Sequence, residues 1–216
     1  MKVSSFFGLS VLSLALVLTG CKKDETDNLS RVKSYPSISL VGNEYYVINV
    51  GETFTDPGVK AALAGEAIQP TITGTVNTAT PGLYTITYSA VNTEEDEVSA
   101  VRSVIVTDPA VNNLNLSGNF QRTGFALSPV TKVGTKGLYR LDNFGFTNAP
   151  NLFTAYFVQI TPSRIVVPAQ TIEGLGYTTF SSAAGTFTAG QLTRISYGIN
   201  APAVFGTAPR TANRVP

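Results

Sequence analysis

Tyr84, Ile86, Tyr88 and Ala90 alternate with Thr85, Thr87 and Ser89, the clearest period of two in this chain. That period puts the apolar set on one face of a strand and the polar set on the other. Pro81-Gly82 supplies the turn before it, Asn92 to Glu97 reads as a polar hairpin tip, and the apolar stretch Ala100–Thr107 predicts the returning strand. Tyr46, Ile48 and Val50 alternate in the same way until Gly51 ends the run. Further along, strands are predicted over Gly118–Thr123, Ser128–Val133, Gly137–Asp142, Thr154–Ile160, Arg164–Val167 and Thr193–Ile199. Thr154, Tyr156, Val158 and Ile160 share one face, as do Ile195, Tyr197 and Ile199. No segment of the second half keeps a helical period. Short strands at spacings of about 8–12 residues predict an all-β chain. A β-sandwich is expected over residues 35–108, and a second antiparallel β domain (meander, sandwich or barrel) over 109–216.

The first 20 residues stand apart. Lys2 gives a positive start, Phe6 to Leu18 an apolar run, and Thr19-Gly20 a pair of small residues before Cys21, the three parts of a secretory leader. The run is shorter than the roughly 20 apolar residues of a spanning helix. Leu18-Thr19-Gly20-Cys21 resembles the lipobox of bacterial lipoproteins at each position. That resemblance implies cleavage before Cys21 and lipid on its sulfur, which makes the membrane the first expected partner. Each buried methylene contributes about 0.8 kcal/mol, so two or three acyl chains would hold the protein durably.

Residues 21–34 begin Lys-Lys-Asp-Glu-Thr-Asp-Asn after the cysteine and have no apolar period, which predicts a solvated tether. About 15 such residues reach roughly 20 Å. The charged run resembles the surface-export signal of Bacteroidetes lipoproteins, which implies an outer-membrane protein facing the cell exterior.

Composition narrows the chemistry. Cys21 is the only cysteine, and histidine and tryptophan are absent. A disulfide framework, a Ser-His-Asp triad and a histidine metal site are thereby excluded. Residues 1–108 hold twelve acidic against seven basic side chains, net −5; residues 109–216 hold two against eight, net +6. A shift this sharp at Asp108-Pro109 predicts a domain boundary. The basic residues are scattered rather than clustered, so no nucleic-acid partner is expected.

The segment Tyr46–Gly58, with its Thr55-Asp56-Pro57-Gly58 ending, resembles the opening of immunoglobulin-like domains of bacterial surface proteins. Thr80–Ala90 and the closing Arg102-Ser103-Val104-Ile105-Val106 fit the same family, so the resemblance covers nearly all of residues 36 to 108. It implies an Ig-like sandwich. Where the family has an Asp-rich, Gly-containing segment, this chain has Ala62–Ile68, so no metal role is carried over. The tip Glu94-Glu95-Asp96-Glu97 is read as solvated, because four consecutive acids point to different sides rather than converging on a cation. Ser117–Arg122 and Lys132–Asp142 resemble the C-terminal domain of small two-domain Bacteroidetes surface lipoproteins found beside starch-utilisation-type glycan uptake systems. That resemblance implies an uptake complex or its glycan as partner, and carries no activity.

Only Asp142 and Glu173 offer a carboxylate pair in the second half, the minimum for glycoside hydrolysis. Both are read as exposed charges, so no catalytic residue, cofactor or metal is expected. Non-catalytic binding is the expected function, of glycan first and of another protein as the alternative. Thirteen aromatics lie in the second half. Asn143-Phe144-Gly145-Phe146 and Gly174-Leu175-Gly176-Tyr177 place rings among turn residues, where a scaffold displays binding groups. The expected ligand surface is therefore Phe144, Phe146, Tyr177 and Arg164.

Overall fold

The computed structural model describes residues 33–216, so Cys21 and the leader lie outside the described residues. Its first half is a sandwich of two sheets. One contains β1 (Pro36–Leu40), β3 (Val59–Leu63) and β4 (Glu66–Ala67), in that order. The other contains β2 (Tyr45–Asn49), β7 (Glu97–Thr107), β6 (Gly82–Val91) and β5 (Thr71–Thr73). The alternating segment is β6, which pairs antiparallel with β7 from Gly82↔Val106 to Val91↔Glu97. Its apolar face supplies Ile86 and Tyr88 to a core completed by Ile48, Val104 and Val106, with Ile38, Leu40, Phe54 and Val59 packed against them. β2 pairs parallel with β7, Tyr45 opposite Ser103 and Asn49 opposite Thr107.

A buried ion pair stands inside the sandwich. Arg102 is fully buried, and its guanidinium donates to the Asp56 carboxylate, to the Tyr88 hydroxyl at 2.9 Å, and to the carbonyls of Val41, Asn43 and Gly58. Tyr46 and Tyr88 present ring faces to the same cation. Asp56 also accepts from the Tyr88 hydroxyl at 2.6 Å and from the Gly58 N–H at 3.1 Å. All five guanidinium N–H groups thus have acceptors, the condition for burying a charge. Burial pushes the Asp56 carboxyl up, but the Tyr88 and Gly58 hydrogen bonds and the Arg102 charge outweigh it and hold it below the usual range. Burial, with the hydrogen bond to Asp56, pushes the Tyr88 phenol up to about 12.

Asp108 ends the sandwich and caps a short 3₁₀ turn, Pro109–Asn113, accepting from the Ala110 N–H at 2.8 Å. The second half is an eight-stranded, nearly closed barrel-like sheet. It uses β8 (Gly118–Gln121), β9 (Leu127–Lys132), β10 (Leu138–Leu141), β11 (Ala155–Thr161) and β12 (Arg164–Val166). A hairpin of β13 (Gln170–Ile172) and β14 (Gly176–Thr178) intervenes. β15 (Phe180–Thr188), β16 (Gln191–Ile199), the turn of helix α1 (Pro202–Phe205) and β17 (Arg210–Val215) complete the chain. The order is β12-β11-β10-β9-β8-β17-β16-β15, all antiparallel, and the end strands β12 and β15 come side by side. Of the three expectations for this half, the barrel is the one realised.

Ile195, Tyr197 and Ile199 do share a face, and it points into the barrel with Phe120, Tyr139 and Phe157. Val158 and Ile160 face outward on β11 and are nevertheless fully buried. With Val166 they take Ile105 of β7, flanked by Tyr45, Val47 and Leu138. The sandwich therefore lies against the barrel wall. The Asp108 N–H donates to the Ile160 carbonyl at 2.8 Å, and Lys136 pairs with Glu52 across the same seam.

Candidate functional site

The four residues of the expected ligand surface separate into two groups. Phe144 and Phe146 are fully buried, which corrects the expectation that they contact ligand. The loop carrying them folds over one end of the barrel. Phe144 packs against Phe153, Phe180 and Phe205, and Phe146 against Tyr197. The Tyr197 hydroxyl donates to the Phe144 carbonyl. Asn143 holds the loop in place: its amide donates to the Thr147 carbonyl at 2.9 Å and its side-chain oxygen accepts from the Thr147 N–H at 3.0 Å. Gly145 is there for packing. A Cβ at this position would stand 2.2 Å from the Phe205 ring. The missing Cβ of this glycine admits another aromatic ring.

Tyr177 and Arg164 remain at the surface. Tyr177 is 51% exposed on β14, and Arg164 opens β12 opposite Thr161. Tyr177 lines a groove of about 620 Å³ with Leu40, Gly42, Ser99, Val101 and Thr171, where the sandwich meets the β13–β14 hairpin. Arg164 is not part of that lining. Glu44 forms the groove's rim, and its carboxylate accepts from the Thr171 N–H at 2.7 Å and from the Thr171 hydroxyl. A side chain 127 positions away in sequence thus ties the hairpin to the sandwich. Burial, then the Glu44 charge, raises the Tyr177 phenol, so it enters the groove as a neutral donor.

On the other side of Glu44 lies a second groove of about 590 Å³, lined by Tyr45, Tyr46, Val133, Thr135 and Lys136 among others. Burial, then Tyr156 and Glu44, pushes the Tyr45 phenol up to about 12. The two grooves flank one carboxylate and present hydroxyls, one exposed ring and apolar stems. This is a surface for stacking and hydrogen bonding. Sequence reasoning found Tyr177 through its glycine neighbours. It missed Glu44 and Thr171, for which no local signal exists.

Asp142 is bonded to Arg140, whose Nε stands at 2.9 Å, and to the Thr154 hydroxyl at 2.8 Å. Glu173 stands exposed in the β13–β14 turn. At the hairpin tip, Asn92 accepts from the N–H groups of Glu94 and Asp96, both at 2.9 Å, which organises the acidic turn. Among the described residues no helix is long and apolar enough to cross a membrane.

A family model for the Ig-like domain of bacterial surface proteins matches residues 38–106, the span of the sandwich. No curated protein matches the chain. Among solved structures, the crystal structure of a lipoprotein from Bacteroides thetaiotaomicron is similar at 18% sequence identity and a TM-score of 0.38. The similarity covers 83% of this chain and 100% of that one.

Proposed function

We propose that this chain is a lipid-anchored outer-membrane protein, exposed on the cell exterior, that binds glycan without transforming it. Residues 38–106 form an Ig-like domain of the bacterial surface type. The lipobox at Leu18–Cys21 supports anchoring through Cys21. The observation that carries the binding reading is Tyr177, half-exposed in a groove edged by Thr171, Ser99 and Glu44. A ring of this kind stacks on a sugar face while neighbouring hydroxyls meet the sugar's own. The contact is shallow, so affinity should be modest, with Kd on the order of 10⁻⁴ M.

A second reading, binding of another protein, draws on a different feature. The four-stranded sheet ends at β5, where Thr71, Ile72 and Thr73 are all exposed and Ile72 is 56% so. An open edge of this kind accepts a partner strand.

The test is affinity electrophoresis of the mature protein through a panel of neutral polysaccharides. At least one glycan should retard it, and Tyr177→Ala should abolish the retardation while the melting temperature stays near wild type. Retardation unchanged in Tyr177→Ala would remove the groove from the reading. No retardation by any glycan would leave edge pairing through β5 as the better account.

A further inference from the structure

The barrel end plugged by Phe144 and Phe146 also carries two arginines with no carboxylate partner among the described residues. Arg122 directly follows β8, and Arg210 opens β17. The register sets Asn213 opposite Gln121 and Val215 opposite Asn119. The end of β8 and the start of β17 therefore lie at the same rim. Side chains alternate along each strand. Arg122 stands just past the end of β8, two positions after Phe120, and Arg210 shares the inward face of Ala212; Phe120 and Ala212 are fully buried. Both guanidiniums thus rim one mouth. Arg210 also sits opposite Tyr197 of β16, which packs on Phe146.

Each cation is oriented by a ring: Arg122 stands 4.5 Å from the centroid of Phe125, and Arg210 5.6 Å from that of Phe205. Arg210 donates one N–H to the Phe205 carbonyl, but its Nε is buried with no acceptor. Neither arginine is in an ion pair among the described residues. Burial and the neighbouring Arg122 charge pull Arg210 below its usual range. Two like charges held together, one with an orphaned donor, leave a place for an anion. Guanidinium groups suit oxyanions because their planar forks bond two oxygens at once, and barrel mouths are recurrent ligand positions.

We propose that Arg122 and Arg210 form an oxyanion-binding site at the barrel mouth, fitted to a carboxylate or sulfate group such as an acidic saccharide bears. The site is separate from the Tyr177 groove and stands or falls independently of it.

The experiment is isothermal titration of the mature protein with three probes: tetragalacturonate, inorganic sulfate and the neutral galactotetraose. Tetragalacturonate should bind, more weakly as salt rises, and galactotetraose should not bind at this mouth. Arg122→Gln should weaken tetragalacturonate by about tenfold or more, the loss expected for one charge-assisted hydrogen bond. Arg210→Gln should do the same. Because Arg210 also holds the Phe205 carbonyl, Arg122→Gln is the deciding variant. Binding of sulfate alone would keep the oxyanion site and assign it to a free inorganic anion. The proposal is overturned if neither anion binds, or if tetragalacturonate binds wild type and Arg122→Gln equally.

Discussion

Asp56→Ala is expected to destabilise the protein by about 3–5 kcal/mol, the loss measured when one partner of a buried ion pair is removed. The asymmetry of the pair sets the direction. Arg102 is entirely buried, whereas the Asp56 side chain is 26% exposed. Removing the carboxylate strands the cation in the sandwich core with the Tyr88 hydroxyl and three carbonyls. For a chain of this size that corresponds to a fall in melting temperature of roughly 6–20 °C. The double variant Asp56→Ala/Arg102→Met should be more stable than Asp56→Ala alone, because no buried charge remains. Denaturant unfolding of the three proteins checks both statements. A cost under about 1 kcal/mol for Asp56→Ala would mean that the guanidinium is solvated in the variant. The pH dependence follows the same pair. The Asp56 carboxyl is held below its ordinary value in the fold. Its contribution is therefore present above the unfolded value of about 3.9 and is lost as pH falls through the folded value. Asp56→Asn should lack that acid-dependent component.

Phe144→Ala should cost about 3–5 kcal/mol, the range for truncating a fully buried aromatic. Its ring meets those of Phe153, Phe180 and Phe205, so one truncation opens a cavity bordered by the β10–β11 loop, β15 and α1. Phe146→Ala should fall in the same range through its contact with Tyr197. Tyr177→Ala, at a half-exposed ring, should stay within about 0.5 kcal/mol of wild type. Thermal melts of the three variants distinguish rings that build the barrel end from the ring that faces solvent. A melt of Phe144→Ala indistinguishable from wild type would place that ring outside the core.

The contrast between these rings shows what sequence pattern conveys and what it does not. β6 was legible because one of its faces meets the core and the other meets polar surroundings. The outward face of β11 was legible as a face, but not as the seat of the sandwich, since Val158 and Ile160 read the same against either neighbour. β15 and β17 escaped notice. Phe180–Thr188 is mostly Ser, Ala, Gly and Thr, and Arg210–Val215 is mostly polar, so neither shows an apolar period. β17 is a strand because β8 and β16 pair with it on both sides. At the site, glycine beside an aromatic was the same local signal at Phe144 and at Tyr177. The tertiary partner decided the outcome: Phe205 fills the space over Gly145, and nothing lies within 4 Å of where a Cβ on Gly176 would stand.

The parallel pairing of β2 with β7 has a mechanical consequence. The chain enters β2 at Tyr45 and leaves β7 at Thr107, toward the barrel. Tension between the segment before β2 and the barrel pulls these neighbours in opposite directions along their length. Their ladder is then loaded in shear, all rungs sharing the force, rather than unzipped one rung at a time. The Val50 N–H donates to the Thr107 carbonyl at 2.9 Å and the Thr107 hydroxyl to the Ile48 carbonyl at 3.1 Å, adding rungs at the loaded end. Forced unfolding is governed by the unfolding rate, so this sandwich should resist drag on whatever it holds. Single-molecule pulling from the two ends should show its rupture at higher force than that of a Thr107→Val variant. Equal rupture forces would show that the load bypasses this seam.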